Sequence, residues 1–185
     1  MEKLTERLPL ERVAVLIGRN GEVKAEIEEL TGAKLNVDGK TGEVEITPGR
    51  EAKDKGDYNV YRASLIVQAI AVGFSPQRAL SLLEDYQFLE VIDLREFARK
   101  PGDASKIASR VIGTEGRARK ELERRSKALI SVFDNQVGVI GDSEALVLVG
   151  KAVELIIKGL PHASVYSLIE KEKKRHEEES FKARI

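Results

Sequence analysis

Cysteine and tryptophan are missing from the 185 residues, and histidine occurs only as His162 and His176. The absence of cysteine excludes a disulfide framework, a zinc ribbon, a cysteine nucleophile and a thiol redox centre, and it fits a reducing, cytoplasmic compartment. Two histidines are too few for a metal site built on several imidazoles. Because no apolar run approaches the ~20 residues that cross a bilayer, and the N-terminus lacks a signal-peptide pattern, we expect no membrane association. We also expect no metal and no cofactor.

An excess of charge of one sign is also missing, because 31 basic residues balance 31 acidic residues. The charges are unevenly distributed, because residues 1–103 carry a net charge of −4 and residues 104–185 carry +4. Within residues 104–127, eight lysines and arginines face only three glutamates. Because charges more than about 8 Å apart are largely screened at physiological salt, this local stripe can hold a polyanion on a neutral protein. The alternative interpretation is an ordinary solvated helix face, in which glutamates pair with neighbouring arginines.

The chain contains an internal repeat. The segment Leu16–Gly21 recurs as Val111–Gly116, displaced by 95 residues, and the surrounding apolar positions follow the same displacement. A second correspondence, displaced by 86 residues, relates residues 73–84 to residues 159–170. The loop Thr47–Asp57, rich in glycine, proline and charge, absorbs the difference together with a strand turn. We therefore predict two copies of one unit of about 80 residues.

Hydrophobic periodicity and turn residues give both copies the same order of elements: strand, helix, helix, strand, strand, helix. In the first copy, Gly18 and Gly21 separate two helices, and a long helix with an apolar face runs over Tyr58–Val72. A further helix is expected over Pro76–Asp85, because a serine N-cap precedes a proline in the first turn.

The second copy begins at a predicted strand, Phe88–Leu94, followed by an inserted segment, Arg95–Ser105. Its last helix is expected over Pro161–His176. The predicted domains are therefore residues 1–86 and residues 87–185, each ending in a helix that trails its own unit.

A Gly-x-x-Gly between two helices has an ordinary explanation as a tight turn in which glycine supplies a positive φ. Two copies, each after an apolar pair and before an amphipathic helix, weaken that explanation. The loop and the order of elements resemble the KH domain, and the helix after the paired strands resembles its eukaryotic-style, type I form. The resemblance implies an α+β fold of two tandem type I KH domains, βααββα each, packed as one body with extra helices.

In a KH domain the loop clamps about four nucleotides of single-stranded RNA, and glycine lets the backbone lie against the sugar-phosphate chain. The N–H groups at the start of the next helix then face phosphate. Arg19 would supply charge and Asn20 a donor. Ile17 would shape the groove or the core behind it, as would Val23, Ile27 and Leu35. The resemblance assigns these RNA contacts in the first unit: Ile17, Gly18, Arg19, Asn20, Gly21 and Lys24.

The second loop departs from the KH pattern, because Thr114 and Glu115 stand where a basic residue is usual, and a carboxylate repels phosphate. We expect the loop still to contact RNA, with Thr114 donating and Glu115 turned to solvent or to Arg119. A second unit kept for packing or protein contact is the alternative. The expected contacts are Arg110, Ile112, Gly113, Thr114, Glu115, Gly116, Arg117, Arg119 and Lys120.

Two further segments resemble one particular family of KH proteins. Residues 73–83, GFSPQRALSLL, and residues 159–166, GLPHASVY, are similar to segments of the archaeal partner-of-Nob-one (Dim-two-like) family of tandem KH factors. That resemblance implies a monomeric RNA-binding protein of ribosome biogenesis and rRNA processing. Its implied partners are single-stranded rRNA near the 3′ end of the small-subunit rRNA, the Nob-type endonuclease and other assembly factors. The alternatives are a KH regulator of mRNA or translation, and a protein adaptor in a ribonucleoprotein.

Catalysis is not expected from this sequence. The loops lack the Gly-Lys-Ser/Thr of a P-loop and the third glycine of a dinucleotide fingerprint. The acidic cluster of Glu26, Glu28 and Glu29 spreads round a helix and is interpreted as solvated surface. At a helix start, His162 is expected to make a structural hydrogen bond, with RNA contact as the alternative.

Overall fold

The computed structural model describes residues 3–49 and 56–182. The chain divides into two units, Met1–Leu89 and Glu90–Ile185, close to the predicted boundary after residue 86. Most of the predicted loop Thr47–Asp57 lies outside the described residues. The expectation that the two units pack as one body stays a prediction.

The first unit follows the predicted order of strand, helix, helix, strand, strand, helix. Its antiparallel sheet has the strand order β1-β3-β2, and helix α3 contacts all three strands. The elements are β1 (Leu4–Arg7), α1 (Leu10–Ile17), α2 (Glu22–Thr31), β2 (Ala33–Val37), β3 (Glu43–Pro48), α3 (Gly56–Ala71) and the short α4 (Pro76–Ala79). The helix predicted to reach Asp85 is shorter, because after α4 the chain tightens into a 3₁₀ turn over Leu80–Leu83.

The second unit repeats this architecture with the strand order β4-β6-β5. Its first helix begins only after a second 3₁₀ turn, Leu94–Phe97, which lies in the region predicted as an insertion. The elements are β4 (Phe88–Asp93), α5 (Asp103–Ile112), α6 (Arg117–Ser126), β5 (Leu129–Phe133), β6 (Gln136–Gly141), α7 (Ser143–Ile157) and α8 (His162–Lys182). The type I order of elements is therefore present twice.

Residues related by the repeat occupy the same places in the two cores. Ile27 of α2 and Leu122 of α6, which are 95 residues apart, are both fully buried. Ile70 of α3 and Ile156 of α7, which are 86 residues apart, are likewise inaccessible to solvent. Each such side chain contributes about 1.5–3 kcal/mol relative to an exposed one, so the apolar repeat accounts for the repeated fold.

The predicted trailing helices pack within their own units. Ala79 and Leu82 are buried in the segment that follows α3, and this segment contacts α3. Helix α8 packs on α7 and buries Val165 and Ile169, whereas Leu168 remains 40% exposed. None of the helices in residues 3–49 and 56–182 is long and apolar enough to span a membrane.

A glutamate on the second helix of each unit reaches the outer strand of the sheet. The backbone N–H of Leu35 in β2 donates to Glu28 Oε1 at 2.8 Å, and Lys34 Nζ bonds the other carboxylate oxygen. In the second unit the N–H of Ile130 in β5 donates to Glu123 Oε1 at 2.7 Å. Glu28 is thus a structural acceptor rather than part of a solvated acidic surface, which corrects the expectation for that residue.

Candidate nucleic-acid interface

Both Gly-x-x-Gly loops have one backbone conformation. Helices α1 and α5 end at a glycine with φ near +70°, and three residues later a second glycine, again with positive φ, begins the next helix. The residue before each second glycine is also left-handed, with φ of 55° at Asn20 and 53° at Glu115. Asn tolerates this region better than most residues, whereas Glu is less common there. The two loops therefore present their backbones in the same way despite different side chains.

The first glycine of each loop serves internal packing. A Cβ on Gly18 would lie 2.5 Å from Val23 Cγ2 and 2.8 Å from the Val23 nitrogen. A Cβ on Gly113 would lie 2.6 Å from Ala118 Cβ and 2.8 Å from the Ala118 nitrogen. The space that a Cβ would fill at these glycines is occupied by the protein's own next helix, and the contact of Gly18 with RNA stays a prediction.

The second glycine of each loop has an open face. Apart from the adjoining chain, no heavy atom of the described residues would lie within 4 Å of a Cβ on Gly21 or on Gly116. The φ values of +84° and +73° favour glycine at both positions. An external chain can therefore approach the backbone closely at Gly21 and Gly116, which is the property that a clamp on a sugar-phosphate chain requires.

The loop backbone also leaves donors available. Gly21 N–H donates to Gly18 O at 3.4 Å, and Glu22 N–H donates to Arg19 O, which closes the tight turn. Among the backbone hydrogen bonds of turns, loops and helix ends in the described part of the chain, none has the N–H of Arg19 or Asn20 as its donor. Both of their side chains are exposed. The first loop therefore combines two available backbone donors, an arginine and an amide at the N-terminus of a ten-residue helix, an arrangement suited to an anion.

Apolar side chains beside each loop divide into groove and core. Ile17 is half-buried and Ile112 is 36% exposed, so both can contact a base. Val23 and Ile27, which were predicted to shape either the groove or the core, are buried and belong to the core. Of these side chains, only Ile17 and Ile112, the residues before the first glycines, are exposed enough to contact a base.

Glu115 forms an ion pair that the sequence did not predict. Its carboxylate lies 3.0 Å from Arg117 Nη2, and both side chains are more than 70% exposed. We expected solvent or Arg119 as its neighbour; solvent exposure is confirmed, but the cation is Arg117. An exposed pair of this kind is worth at most about 1 kcal/mol, so phosphate can compete for Arg117.

Arg119 and Lys24 occupy equivalent positions, one turn into the helix that follows each loop. Both are half-buried. The Nε of Arg119 is buried and has no hydrogen-bond partner among the described residues. Lys120, the next residue, is exposed. A buried donor without an acceptor is costly, so Arg119 retains an unsatisfied group beside the loop.

The C-terminal half of the basic stripe is paired within the protein. Arg124 and Arg125 both donate to Glu121, and these hydrogen bonds lower the pKa of Glu121 from 4.5 to about 2. Arg125 also contacts Glu170 of α8 at 2.7 Å. The solvated-face interpretation is confirmed for this half of the stripe. The cations available to a ligand are those nearest the loop, including Arg117, Arg119 and Lys120.

Arg110 has a structural role that the sequence did not predict. Its guanidinium donates to the backbone oxygens of Ile156 and Leu160, at the end of α7 and just beyond it. The Arg110 carbonyl oxygen lies 2.8 Å from His162 Nε2, which confirms the structural hydrogen bond expected for that histidine. These bonds hold the guanidinium at the end of α7. Arg110 therefore has a structural role, and its contact with phosphate stays a prediction.

Arg12 makes the same contacts in the first unit. Its guanidinium donates to Ile70 O at 2.8 Å and to Phe74 O at 2.6 Å. Those two acceptors correspond to Ile156 and Leu160 through the 86-residue displacement. The arginines themselves do not correspond through the 95-residue displacement of their helices, and for that reason the repeat gave no signal for them.

Comparisons with known proteins agree with this geometry. The family described as a eukaryotic-type KH domain (KH-domain type I), in the form of the second KH domain of Pno1, matches residues 88–174, and the KH domain family matches residues 7–68. The KH domain-containing protein MJ0443 of Methanocaldococcus jannaschii is 37% identical over 91% of this chain and 73% of its own length.

Other relatives carry more specific names. The RNA-binding protein pno1 of Drosophila melanogaster is 31% identical over 69% of this chain, which spans 53% of that protein. A pre-rRNA-processing protein pno1 of Emericella nidulans is 26% identical over 75% of this chain, which again spans 53% of the relative. Among solved structures, Dim2p of Pyrococcus horikoshii OT3, in a complex with a/eIF2α and rRNA, is 38% identical with a TM-score of 0.87 over 94% of this chain and 95% of that chain.

A KH match in each unit, the repeated loop geometry and similarity over nine tenths of the chain lead to one conclusion. This chain belongs to the Pno1/Dim2 family of tandem KH-domain proteins.

Proposed function

We propose that this protein binds single-stranded RNA through its Gly-x-x-Gly loops. The observation that carries the proposal is the open face at the second glycine of each loop, which in the first unit follows directly on the backbone N–H groups of Arg19 and Asn20. Arg19 and Asn20 add a cation and an amide donor to the first clamp, while Arg117, Arg119 and Lys120 supply charge beside the second. The phosphates of the RNA strand then contact donors and cations at both loops, and a base contacts Ile17 or Ile112.

The RNA that we propose is the region near the 3′ end of the small-subunit rRNA, bound during ribosome biogenesis. The relatives support this choice, because one of them is named a pre-rRNA-processing protein and a Dim2p structure contains rRNA. The role that follows is binding and positioning of rRNA rather than catalysis.

Protein partners follow from the same assignment. The a/eIF2α subunit in the Dim2p complex makes that initiation-factor subunit a candidate partner here. A Nob-type endonuclease and other small-subunit assembly factors complete the proposed set. We propose a cytoplasmic monomer, which offers both of its loops to RNA.

Competition binding tests the RNA assignment. Oligonucleotides from the 3′ end of small-subunit rRNA should displace a labelled rRNA probe at much lower concentration than unrelated single strands of equal length. Equal displacement by unrelated strands would favour an mRNA or translation regulator. The absence of any RNA binding at low salt would favour a protein adaptor.

The loop assignment is tested by a charge change. Arg19→Asp with Asn20→Asp places carboxylates where phosphates are expected, and we expect the affinity for RNA to fall by well over tenfold. The matched control is Lys40→Asp with Thr41→Asp, which makes the same change of charge in the exposed turn between β2 and β3. Unchanged affinity in the loop variant, or an equal loss in the control, would contradict the clamp.

A further inference from the structure

The connection between the first strand and the first helix differs between the two units. In the first unit only Leu8 and Pro9 separate β1 from α1, whereas residues 94–102 separate β4 from α5. The longer connection is folded rather than loose. Leu94 is fully buried in the core of the second unit, and Ala98 packs against that core.

Carboxylates fix both ends of this connection. Asp93 accepts the N–H of Arg95 at 2.9 Å and so begins the 3₁₀ turn. Asp103 Oδ2 accepts the N–H groups of Arg99 and Lys100 at 3.3 and 3.0 Å. The segment between the two aspartates is therefore held in one conformation before any ligand arrives.

Within that fixed segment, Phe97 points away from the core and is 46% exposed. It lines an open cleft of about 760 Å³, bounded by α5 and the end of α7. Ile107 and Ile157 supply the other apolar walls. An exposed aromatic ring that lines a cleft is a stacking platform for a planar group.

The cleft is electropositive. Four of its lining residues are basic and two are acidic. One of the acids, Asp103, already accepts two backbone N–H groups and lies 3.6 Å from Lys106 Nζ. The Arg99 guanidinium has no ion-pair partner within residues 3–49 and 56–182, and Lys158 pairs only with the exposed Glu154. The charge that remains for a ligand is positive.

The position of the cleft links it to the second Gly-x-x-Gly loop. Lys106 and Arg110 line the cleft on α5, and the same helix ends at Ile112, directly before Gly113. At 1.5 Å per residue, Lys106 lies only about 10 Å along the helix axis from Gly113. A chain held at the loop can therefore continue along α5 into the cleft.

We propose that this cleft binds a nucleotide of the same RNA strand that the second loop clamps, with its base stacked on Phe97 and its phosphates beside Arg99 and Lys106. The proposal rests on the proposed RNA-binding function and extends it by a flanking subsite. An RNA strand suits the cleft better than a peptide does, because the cleft continues from the loop, carries positive charge and offers an aromatic face. The first unit, in which Leu8 and Pro9 alone fill the corresponding connection, has no such segment.

The test compares short and long RNA. A strand of about four nucleotides fills the loop alone, whereas one of about eight, extended at the 5′ or the 3′ end, can also reach the cleft. We expect Phe97→Ala to weaken the binding of one of the longer strands by about tenfold, the size typical of a lost base stack, and to leave the short strand unaffected. Phe97→Trp should restore the affinity for that longer strand.

The control is Val147→Ala, which removes an exposed apolar side chain of α7 that does not line this cleft. It should leave both affinities unchanged. If wild-type protein binds the longer strands and Phe97→Ala binds them equally well, the subsite is wrong while the proposed function stands. If Phe97→Ala weakens short and long strands alike, the subsite is also wrong, because the effect is not specific to the flank. Wild-type protein that binds no strand contradicts the proposed function itself.

Discussion

The two units have the same backbone fold but carry their charged residues at different positions. In the first unit the loop is basic, with Arg19, and the helix after it carries four glutamates and one lysine. In the second unit the loop carries Glu115, and the helix after it carries five basic residues and two glutamates. The net charge of the helix changes from −3 to +3 between equivalent positions, yet both loops have the same φ values within about 15°.

The residues that stabilise the fold are retained in both units, whereas the exposed residues that would contact a ligand differ. Buried apolar positions and the paired glycines are retained in both units, whereas some exposed positions change sign, such as Glu22 to Arg117 and Glu29 to Arg124. Exposed charges contribute little to stability, so they can be exchanged without loss of the fold. We infer that the first unit binds phosphate mainly at its loop and the second mainly along its helix.

The two glycines of a loop should differ most in their effect on stability. Gly18→Ala combines a glycine-only backbone conformation with a contact of 2.5 Å to Val23, and it should cost about 2–4 kcal/mol. Gly21→Ala meets no atom and adds only a left-handed residue, at about 1–2 kcal/mol. Urea unfolding of both variants, and of Gly113→Ala and Gly116→Ala, measures the difference. Equal losses at the two glycines of one loop would contradict the division between packing and open face.

The two arginines that bond the carbonyls at the end of the third helix should have similar effects. Arg12→Met and Arg110→Met each remove charged donors from two backbone oxygens and should cost about 1.5–3 kcal/mol. Arg117→Met, at an exposed position, is the control and should change stability by no more than about 0.5 kcal/mol. Thermal unfolding measures stability, and RNA binding is measured in parallel. An Arg110→Met protein of unchanged stability that has lost RNA affinity would restore the assignment of Arg110 as an RNA contact.

The salt dependence of RNA binding should come mainly from the second unit. Each phosphate neutralised on a single strand contributes about −0.7 to the log-log salt slope, so Arg117→Gln with Lys120→Gln should flatten the slope by about one. The matched control changes the equivalent positions of the first unit, Glu22→Gln and Ala25→Gln, and should not flatten it. If the first pair of changes leaves the slope unchanged, Arg117 and Lys120 do not bind phosphate and belong to a solvated helix face.

The smallest effect concerns acid stability and belongs to the second unit. Glu121 has a folded pKa of about 2, below its ordinary 4.5, because Arg124 and Arg125 bond its carboxylate. Its contribution to stability is therefore fully present above pH 4.5 and is lost as the pH falls towards 2. Glu121→Gln should flatten the stability curve within this window only. An NMR titration gives the pKa directly, and Arg124→Gln should raise it; a pKa unmoved by that change would contradict the assigned cause.

The sequence was sufficient to predict the fold because the signals for the fold are local and repeated. The paired glycines located both loops, and the spacing of Ile27 and Leu122 identified the buried faces of their helices. The 3₁₀ turn after α4 was not predicted, since Leu80 and Leu83 fit a helical pattern equally well. The residues expected at the loops lie at the loops, and their contacts with RNA stay a prediction.

The contacts that were missed join parts of the chain that the sequence does not place side by side. The Arg110 bonds depend on how closely α5 approaches the end of α7, and no spacing rule gives that distance. Glu28 bonds a residue seven positions ahead, on the next strand. One signal for it was available: Glu28 and Glu123 keep the same residue type at a displacement of 95 residues, whereas the next position changes from Glu29 to Arg124.

Those two glutamates have a consequence for how the molecules behave at high concentration. Strands β2 and β5 are edge strands, and an edge strand offers its unpaired N–H groups to the strand of another molecule. The carboxylates of Glu28 and Glu123 occupy one outward N–H on each edge, and they bring negative charge to that place. A second molecule that tried to extend either sheet at this edge would have to displace a carboxylate from the N–H of Leu35 or Ile130. The same side chains that join helix to sheet thus oppose the growth of a continuous intermolecular sheet.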